Sequence, residues 1–324
     1  MKNVLILGGT MFVGRELVEQ LKTDAATQLT LFNRGKTNSA LFNDVNQIHG
    51  NRETADMEKI FNQTWDCIID FSGYYPNTFQ QLLAGLKGKV GRYVFISTGS
   101  VYQLEDMAGK LITETEATKT CTEAQRTSKL PDAYGEKKAE MERILLANTW
   151  LDAIIFRPGY IYGKYDWTER FYYWLYRVNF FDKMLLPQSN YRLSLTNAHM
   201  LTHALVKAIS IEKHNKVYNA VSEPAFTLKN LVQEAAKAFH KNPQLIELPE
   251  TSLQQHGIQP HEFPLYAPID FMMDDNLWRN DFELSAYNIG TAFTETLALK
   301  EESGFPIPQP GLQPEKEQLV LQSL

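Results

Sequence analysis

The chain has 324 residues, of which 44% are hydrophobic and 22% are charged. This balance excludes a wholly disordered chain, and at roughly 150 residues per domain the length suggests two domains or one large domain with an appended cap. The net charge of −6 disfavours nucleic-acid binding through a broad basic surface, and the two cysteines are too few for a disulfide scaffold. No apolar run reaches the roughly 18 residues of a membrane span, so we expect a cytoplasmic protein without membrane contact.

Short apolar runs alternate with amphipathic stretches through the first half of the chain. The runs are continuous rather than alternating, which is typical of strands buried on both faces of a parallel sheet. Apolar residues recur at helical spacing between them. We expect strands at residues 4–7, 29–32, 67–71, 93–97 and 153–156. The sequence therefore predicts an α/β fold with a doubly wound, Rossmann-like parallel sheet.

The amino-acid composition of the chain changes after Pro158. Residues 165–181 are crowded with aromatic side chains, which indicate a helix in a small second core; a wall facing a substrate and a dimer surface are the alternatives. A later helix and short strand are expected to rejoin the main sheet. The prediction is a dinucleotide-binding domain over residues 1–158 with 191–221, and a smaller, discontinuous C-terminal substrate domain with a tail over residues 159–190 and 222–324.

A glycine-rich turn follows the first predicted strand and opens the first predicted helix. Glycines let a ligand approach the backbone, and a helix N-terminus supplies free N–H groups and the positive end of a dipole. The pattern favours binding of a dinucleotide pyrophosphate, although a purely structural turn would also need glycine. Met11 stands where many dinucleotide folds have glycine. The candidate cofactor contacts in this turn are Gly8, Thr10, Met11, Phe12, Val13 and Gly14.

The second predicted strand ends in a basic turn that contains Asn33, Arg34 and Lys36. A carboxylate here would bind the adenosine ribose 2′-hydroxyl and repel a 2′-phosphate, but none is present. Arg34 can instead pair with a phosphate, and Lys36 adds a point charge. The turn predicts NADP as the cofactor, with NAD as the alternative, unless it is only a solvated basic turn. We expect Ser72 and Gly73, after the next strand, near the adenosine ribose.

Tyr134 and Lys138 are spaced i, i+4, which places them on one face of a helix. A free phenol has a pKa of about 10, too high for a base at neutral pH, and a nearby ammonium group would lower it. Lys138 can also hold the nicotinamide ribose. Lys137 lies roughly 100° away around the helix, so we expect it at the surface.

Two hydroxyl residues, Ser97 and Thr98, end the fourth predicted strand. The carboxyl end of a parallel strand faces the ligand crevice, so either hydroxyl can orient a substrate oxygen toward Tyr134. His199 and His203 are also spaced i, i+4, but no third ligand lies nearby in the sequence. We interpret them as a helix-face pair and expect no metal site.

Together these motifs resemble the extended short-chain dehydrogenase/reductase superfamily, and within it the NAD-dependent epimerase/dehydratase family, over residues 1 to about 220. The glycine turn, the basic turn and residues 66–73 are most similar to an atypical branch that includes chloroplast stem-loop RNA-binding proteins. The resemblance implies that Thr98, Tyr134 and Lys138 are catalytic. It also implies that the strand-end segment containing Pro158 contacts the nicotinamide.

The resemblance implies an NAD(P)-dependent oxidoreductase or epimerase whose partner is a small-molecule substrate, such as a nucleotide sugar. Tyr134 would remove a hydroxyl proton while the nicotinamide takes a hydride, and Thr98 would hold the oxygen. Family dehydratases carry an acidic pair just after the catalytic Thr, where this chain has Gly99 and Ser100, so dehydration is disfavoured.

Two questions stay open at this point. One is whether the chain is an epimerase or a reductase. The other is whether it is an enzyme at all, because a non-catalytic, nucleotide-sensing or RNA-associated protein could keep the same fold. The acidic composition and the intact Tyr134 and Lys138 speak against that alternative. A homodimer is also left open.

Overall fold

The computed structural model describes residues 1–104 and 109–324. Its strands are β1 (Lys2–Leu7), β2 (Thr27–Asn33), β3 (Asn46–His49), β4 (Trp65–Asp70), β5 (Val90–Ile96), β6 (Leu111–Ile112), β7 (Asp152–Pro158), β8 (Tyr160–Tyr162), β9 (Lys183–Pro187), β10 (Arg192–Asn197), β11 (Lys216–Ala220), β12 (Glu223–Thr227), β13 (Gln244–Leu248) and β14 (Met272–Met273). Its α-helices are α1 (Phe12–Leu21), α2 (Pro76–Gly85), α3 (Glu123–Thr127), α4 (Tyr134–Leu146), α5 (Arg170–Phe180), α6 (Ala198–Ala208), α7 (Leu228–Ala238), α8 (Glu250–Gln255), α9 (Asn276–Phe282), α10 (Ile289–Glu301) and α11 (Pro314–Ser323).

Seven parallel strands form the main sheet, in the order β11-β7-β5-β4-β1-β2-β3. Helices cover both faces: α1 and α6 lie over one apolar layer, and α2 and α4 lie over the other. The prediction of a doubly wound, Rossmann-like sheet is confirmed. The strand order changes direction between β1 and β4, and this is where such sheets open a ligand crevice beyond their carboxyl ends.

The buried strands explain why their sequences are continuously apolar. In β1, Val4 and Ile6 pack into the layer under α1, whereas Leu5 and Leu7 pack into the layer under α2 and α4. Successive side chains point to opposite faces of a strand, so a sheet covered on both faces needs apolar residues at every position.

Two strands differ from the sequence-based expectation. Asn46–His49 forms β3, which was missed because a short polar segment at the edge of a sheet carries no apolar run. The helix α6 and the strand β11 rejoin the main sheet as expected, since β11 pairs with β7 and α6 packs against α1. Arg192–Asn197 does not join them, because β10 pairs with β8 and β12 in a separate small sheet.

The aromatic stretch forms α5 and packs into a second core with α7, α10 and the C-terminal segment. Trp174 is fully buried there. A buried ion pair between Arg177 of α5 and Glu317 of α11 ties the end of the chain to this core. The interpretation of residues 165–181 as part of a second core is therefore confirmed, and the domain boundaries themselves stay a prediction. Within residues 1–104 and 109–324, no helix combines the length and the apolar character needed to cross a bilayer.

Candidate active site

The glycine turn lies directly beyond the carboxyl end of β1. Gly8 and Gly9 have φ angles of 107° and 94°, which residues with a Cβ rarely adopt. A Cβ on Gly14 would lie 2.9 Å from the Gly9 Cα, so the first turn of α1 packs against the turn without a side chain between them. The predicted turn residues are therefore brought together, with Gly9 and Gly14 buried and Met11 exposed.

The start of α1 offers unpaired donors. Met11 precedes the helix without capping it through its side chain, and no acidic residue occupies the first helical turn. Among the residues that the structure describes, no oxygen accepts a hydrogen bond from the N–H groups of residues 9–14. Val13 points its side chain into the core, so it can contribute only its backbone. A pyrophosphate group fits this set of donors and the positive end of the helix dipole.

The basic turn after β2 is built by Asn33. Its Oδ1 accepts from the Gly35 N–H at 2.8 Å, and its Nδ2 donates to Gln47 at 3.0 Å. The Asn33 side chain thus shapes the turn. Arg34 and Lys36 are exposed, and neither makes an ion pair with any residue in the described part of the chain. Both side chains are free to meet a phosphate.

Tyr134 and Thr98 come together at the carboxyl end of β5. Tyr134 is the first residue of α4, and its side chain is 44% exposed. The start of α4 can lie close to the turn after β5 because the next residue is Gly135. A Cβ at that position would lie 2.1 Å from the Ser100 carbonyl oxygen. Sequence reasoning missed this role of Gly135, although a glycine directly after the tyrosine is its signal.

Lys138 is buried one turn further along α4. Its ammonium group donates to the Ile96 carbonyl at 2.7 Å and lies 4.5 Å from the centre of the Phe95 ring. Burial lowers the pKa of Lys138 to about 8. No second acceptor for the ammonium group lies within residues 1–104 and 109–324, so further N–H donors remain for a ligand.

The structure does not show the expected acidification of Tyr134 by the lysine. Burial and the neighbouring Tyr74 raise the pKa of Tyr134 to about 12, and a hydrogen-bonding contact with Thr98 only partly opposes them. The Lys138 ammonium lies 6.0 Å from the centre of the Tyr134 ring and is bound to Ile96, so its charge does not stabilise the phenolate. At neutral pH, the phenol of Tyr134 is therefore protonated.

Two other expectations are corrected. Lys137 is buried rather than exposed, because its ammonium group donates to the Leu130 carbonyl at 2.7 Å and pairs with Asp132 at 2.9 Å. The Ser97 hydroxyl is buried and has no hydrogen-bond partner among the described residues, so it is less accessible than expected. Thr98 is the accessible one of the two hydroxyls, and its oxygen also accepts from the Ser100 N–H.

The segment after β4 holds a buried charge that the sequence reasoning had not recognised. Asp70, at the end of β4, is fully buried and pairs with Arg52. The Ser72 hydroxyl lies within this pair, 2.9 Å from Arg52, so it is only partly available to a ribose. Gly73 is closely packed, since a Cβ there would lie 2.8 Å from the Phe95 ring. The signal was an acidic residue, Asp70, directly after the apolar residues 67–69.

Several further features border the crevice. Tyr74, also missed, is 49% exposed, and its ring centre lies 6.4 Å from that of Tyr134. Pro158 is buried at the end of β7. A cavity of about 490 Å³ lies at the start of α1, between Arg15, Trp167 and the end of α10, and does not include the tyrosine–lysine pair.

The two histidines form a helix-face pair, as expected. His199 contacts Glu16 at 3.0 Å, and its ring centre lies 4.5 Å from that of His203. In the part of the chain that the structure describes, no group of three or more His, Cys, Asp or Glu side chains is arranged to hold a metal ion.

The model of an NAD-binding family described as Male sterility protein matches residues 78–209, which include Thr98, Tyr134 and Lys138. A search of curated proteins finds no match.

Solved structures share the fold over nearly the whole chain. UDP-glucuronic acid 4-epimerase from Bacillus cereus, in complex with NAD and a UDP-sugar analogue, has a TM-score of 0.71 at 15% identity, covering 93% of this chain and 99% of its own. dTDP-glucose 4,6-dehydratase from Bacillus anthracis, in complex with NAD, has a TM-score of 0.70 at 15% identity, covering 93% and 97%. UDP-N-acetylglucosamine 4-epimerase from Methanobrevibacter ruminantium has a TM-score of 0.70 at 15% identity, covering 93% and 99%. At this identity, the likeness shows the fold.

Proposed function

We propose that the chain is an NAD(P)-dependent oxidoreductase or epimerase that acts on a nucleotide sugar or a similar alcohol or carbonyl compound. The observation that carries the proposal is the grouping of Thr98, Tyr134 and Lys138 at the carboxyl end of β5. The uncapped start of α1 opens on the same edge of the sheet. Because β1 and β5 flank β4, their ends lie about 10 Å apart, within the span of a dinucleotide.

The nicotinamide cofactor, when bound, supplies or accepts the hydride. The N–H groups of residues 9–14 would hold its pyrophosphate, since they have no acceptor within the described chain. The free N–H donors of Lys138 would bind ribose hydroxyls, and the lysine keeps its charge at neutral pH because its pKa is about 8. Pro158 and Gly73 would line the cofactor's path.

Tyr134 moves the proton. With a pKa of about 12, its phenol is protonated at neutral pH, so it can donate a proton to a carbonyl oxygen as that carbon is reduced. In the oxidative direction, the same oxygen takes the proton back. Thr98, which lies near Tyr134 and lowers the pKa of its phenol, would hold the substrate oxygen in place.

NADP is the proposed form of the cofactor. The turn after β2 has no carboxylate to repel a 2′-phosphate, and Arg34 and Lys36 are exposed with no partner among the described residues. NAD is the alternative, and it is the cofactor bound in the similar epimerase and dehydratase structures.

A nucleotide sugar is the proposed substrate class because the similar structures are those of sugar-nucleotide enzymes. Epimerisation or reduction is favoured over dehydration, since Gly99 and Ser100 follow Thr98 where family dehydratases have an acidic pair. The RNA-associated function of the chloroplast branch is not favoured, because the net charge is −6.

The test is a direct one. The purified full chain is titrated with NADPH and NADH, with binding followed by nicotinamide fluorescence. It is then incubated with a panel of UDP- and dTDP-sugars, with and without added cofactor. We expect binding of NADPH and either consumption of the cofactor or interconversion of epimers. Binding of neither nucleotide would contradict the proposal.

A further inference from the structure

A fully buried carboxylate lies behind the lysine of the candidate active site. The Oδ1 of Asp70 accepts from Arg52 Nη1 at 2.7 Å and from the Ser72 N–H at 2.8 Å, and its Oδ2 accepts from the Tyr93 hydroxyl at 2.7 Å. Burial would raise the pKa of Asp70, but the Arg52 charge and these hydrogen bonds hold it below its usual value. Asp70 is therefore ionised at neutral pH.

The carboxylate is packed close to Lys138. Asp70 pairs in register with Phe95 across β4 and β5, and the Lys138 ammonium lies over the Phe95 ring. A Cβ on Gly73 would lie 3.1 Å from Asp70 Oδ2 and 2.8 Å from Phe95 Cε2, so the carboxylate and the ring pack against the same glycine. Asp70, Phe95 and Lys138 are all buried, and charges interact more strongly in a buried environment than in water.

Lys138 needs a nearby anion because it is buried. Burial lowers its pKa; Asp70 is the strongest opposing charge, and Arg52 adds a smaller repulsion. Glu142, on the same helix as Lys138, raises the pKa less than Asp70 does, and both carboxylates are paired with an arginine, Glu142 with Arg157 and Asp70 with Arg52. Asp70 is thus the main group that favours the charged lysine.

We propose that Asp70 is a positioning residue whose buried negative charge keeps Lys138 protonated on the face of Phe95, ready to bind a cofactor ribose. The inference rests on the proposed function for the identity of that ligand. The two phenols facing the ammonium group, Tyr74 and Tyr134, do not supply the charge. Burial raises both of their pKa values, so both are neutral at neutral pH.

The experiment measures the titration of Lys138 directly. The full chain is labelled with ¹³Cε-lysine, and the Lys138 signal is assigned by its loss in Lys138→Met. We expect this signal to titrate near pH 8 in the unchanged chain. In Asp70→Asn, we expect it to titrate at or below about pH 7, because a buried ammonium group without its anion loses its proton more readily.

Tyr93→Phe is the matched control. It removes a buried hydrogen bond to the same carboxylate but leaves the charge of Asp70 in place, so Lys138 should titrate as in the unchanged chain. A purely structural role would move the lysine signal equally in Tyr93→Phe and Asp70→Asn, or in neither. Either result would overturn the proposal.

Arg52→Gln decides the question if Asp70→Asn does not fold. It removes the repelling cation, while Tyr93 and Ser72 still hold the carboxylate, so we expect Lys138 to titrate above pH 8. An unchanged or lower value would refute the coupling. The titration needs no cofactor, so a shifted lysine in a chain that binds no NADPH would uphold the role of Asp70 and reject only the proposed function.

Discussion

Tyr134 has two properties that together favour a role in proton transfer. It is half exposed at the crevice, and its pKa of about 12 keeps it protonated at neutral pH. Lys138 is the opposite case, buried but charged until about pH 8. In the proposed function, the phenol would therefore meet the substrate and the ammonium group would bind the cofactor ribose.

Tyr134→Phe removes the phenol and keeps the ring. We expect hydride transfer to fall by about 10²- to 10⁴-fold, the usual contribution of a positioned proton donor, with cofactor affinity nearly unchanged. Stopped-flow measurement of NADPH oxidation on a substrate of the chain gives the rate. Tyr176→Phe, in the aromatic helix α5, is the control. An unchanged rate in Tyr134→Phe would exclude the phenol as the proton donor.

Arg34→Ala tests the choice of cofactor. Because a charge-assisted contact to the 2′-phosphate would be lost, we expect affinity for NADPH to fall by about tenfold to a hundredfold, and affinity for NADH to change little. Fluorescence titration with both nucleotides measures this ratio. Lys87→Ala, in the exposed turn before β5, controls for the general loss of a positive charge. Equal losses for both nucleotides would refute the 2′-phosphate assignment.

The helix α4 owes its position to one glycine. Gly135→Ala would place a methyl group against the Ser100 carbonyl, so α4 must move away from the turn that carries Thr98. We expect a loss of about 1–3 kcal/mol in the free energy of unfolding and slower hydride transfer. Urea denaturation and turnover are the measurements. Gly290→Ala in α10 is the control, and equal effects of the two changes would show no special role for Gly135.

The elements that could be read from the sequence are those whose pattern is local. β1 and α1 were predicted because every position of a doubly covered strand is apolar and because Val13, Leu17 and Leu21 repeat at helical spacing. The edge strand β3 has no such pattern. Nothing local in the sequence shows that β10 lies outside the main sheet either, because its pairing depends on partners distant in the chain.

The sequence predicted which residues form the candidate site, but not the burial and the neighbouring charges of those residues. Thr98, Tyr134 and Lys138 were identified from spacing, and the structure groups them. The direction of the Tyr134 pKa was predicted wrongly, because it depends on burial and on Tyr74 rather than on helical spacing. The Asp70 network could not be predicted either, since its members lie on separate segments that only the folded sheet brings together.

The C-terminal helix α11 packs against the second core and is held there by the buried ion pair between Arg177 and Glu317. Glu317→Gln would leave Arg177 buried with its charge uncompensated, so we expect the unfolding free energy to fall by about 3–5 kcal/mol. Thermal denaturation followed by circular dichroism measures the change. Glu315→Gln changes an exposed position on the same helix, and it should leave the free energy of unfolding nearly unchanged. A stable Glu317→Gln variant would show that α11 contributes little to the core.

The route of the chain through the main sheet has a consequence for its synthesis. After β7, more than fifty residues follow before β11, which pairs with the open side of β7. A nascent chain emerging from the ribosome must therefore expose that unpaired strand until residue 220 has been made. Such a bare strand readily recruits foreign backbone. The open edge of β7 in that interval is thus a place where aggregation can start.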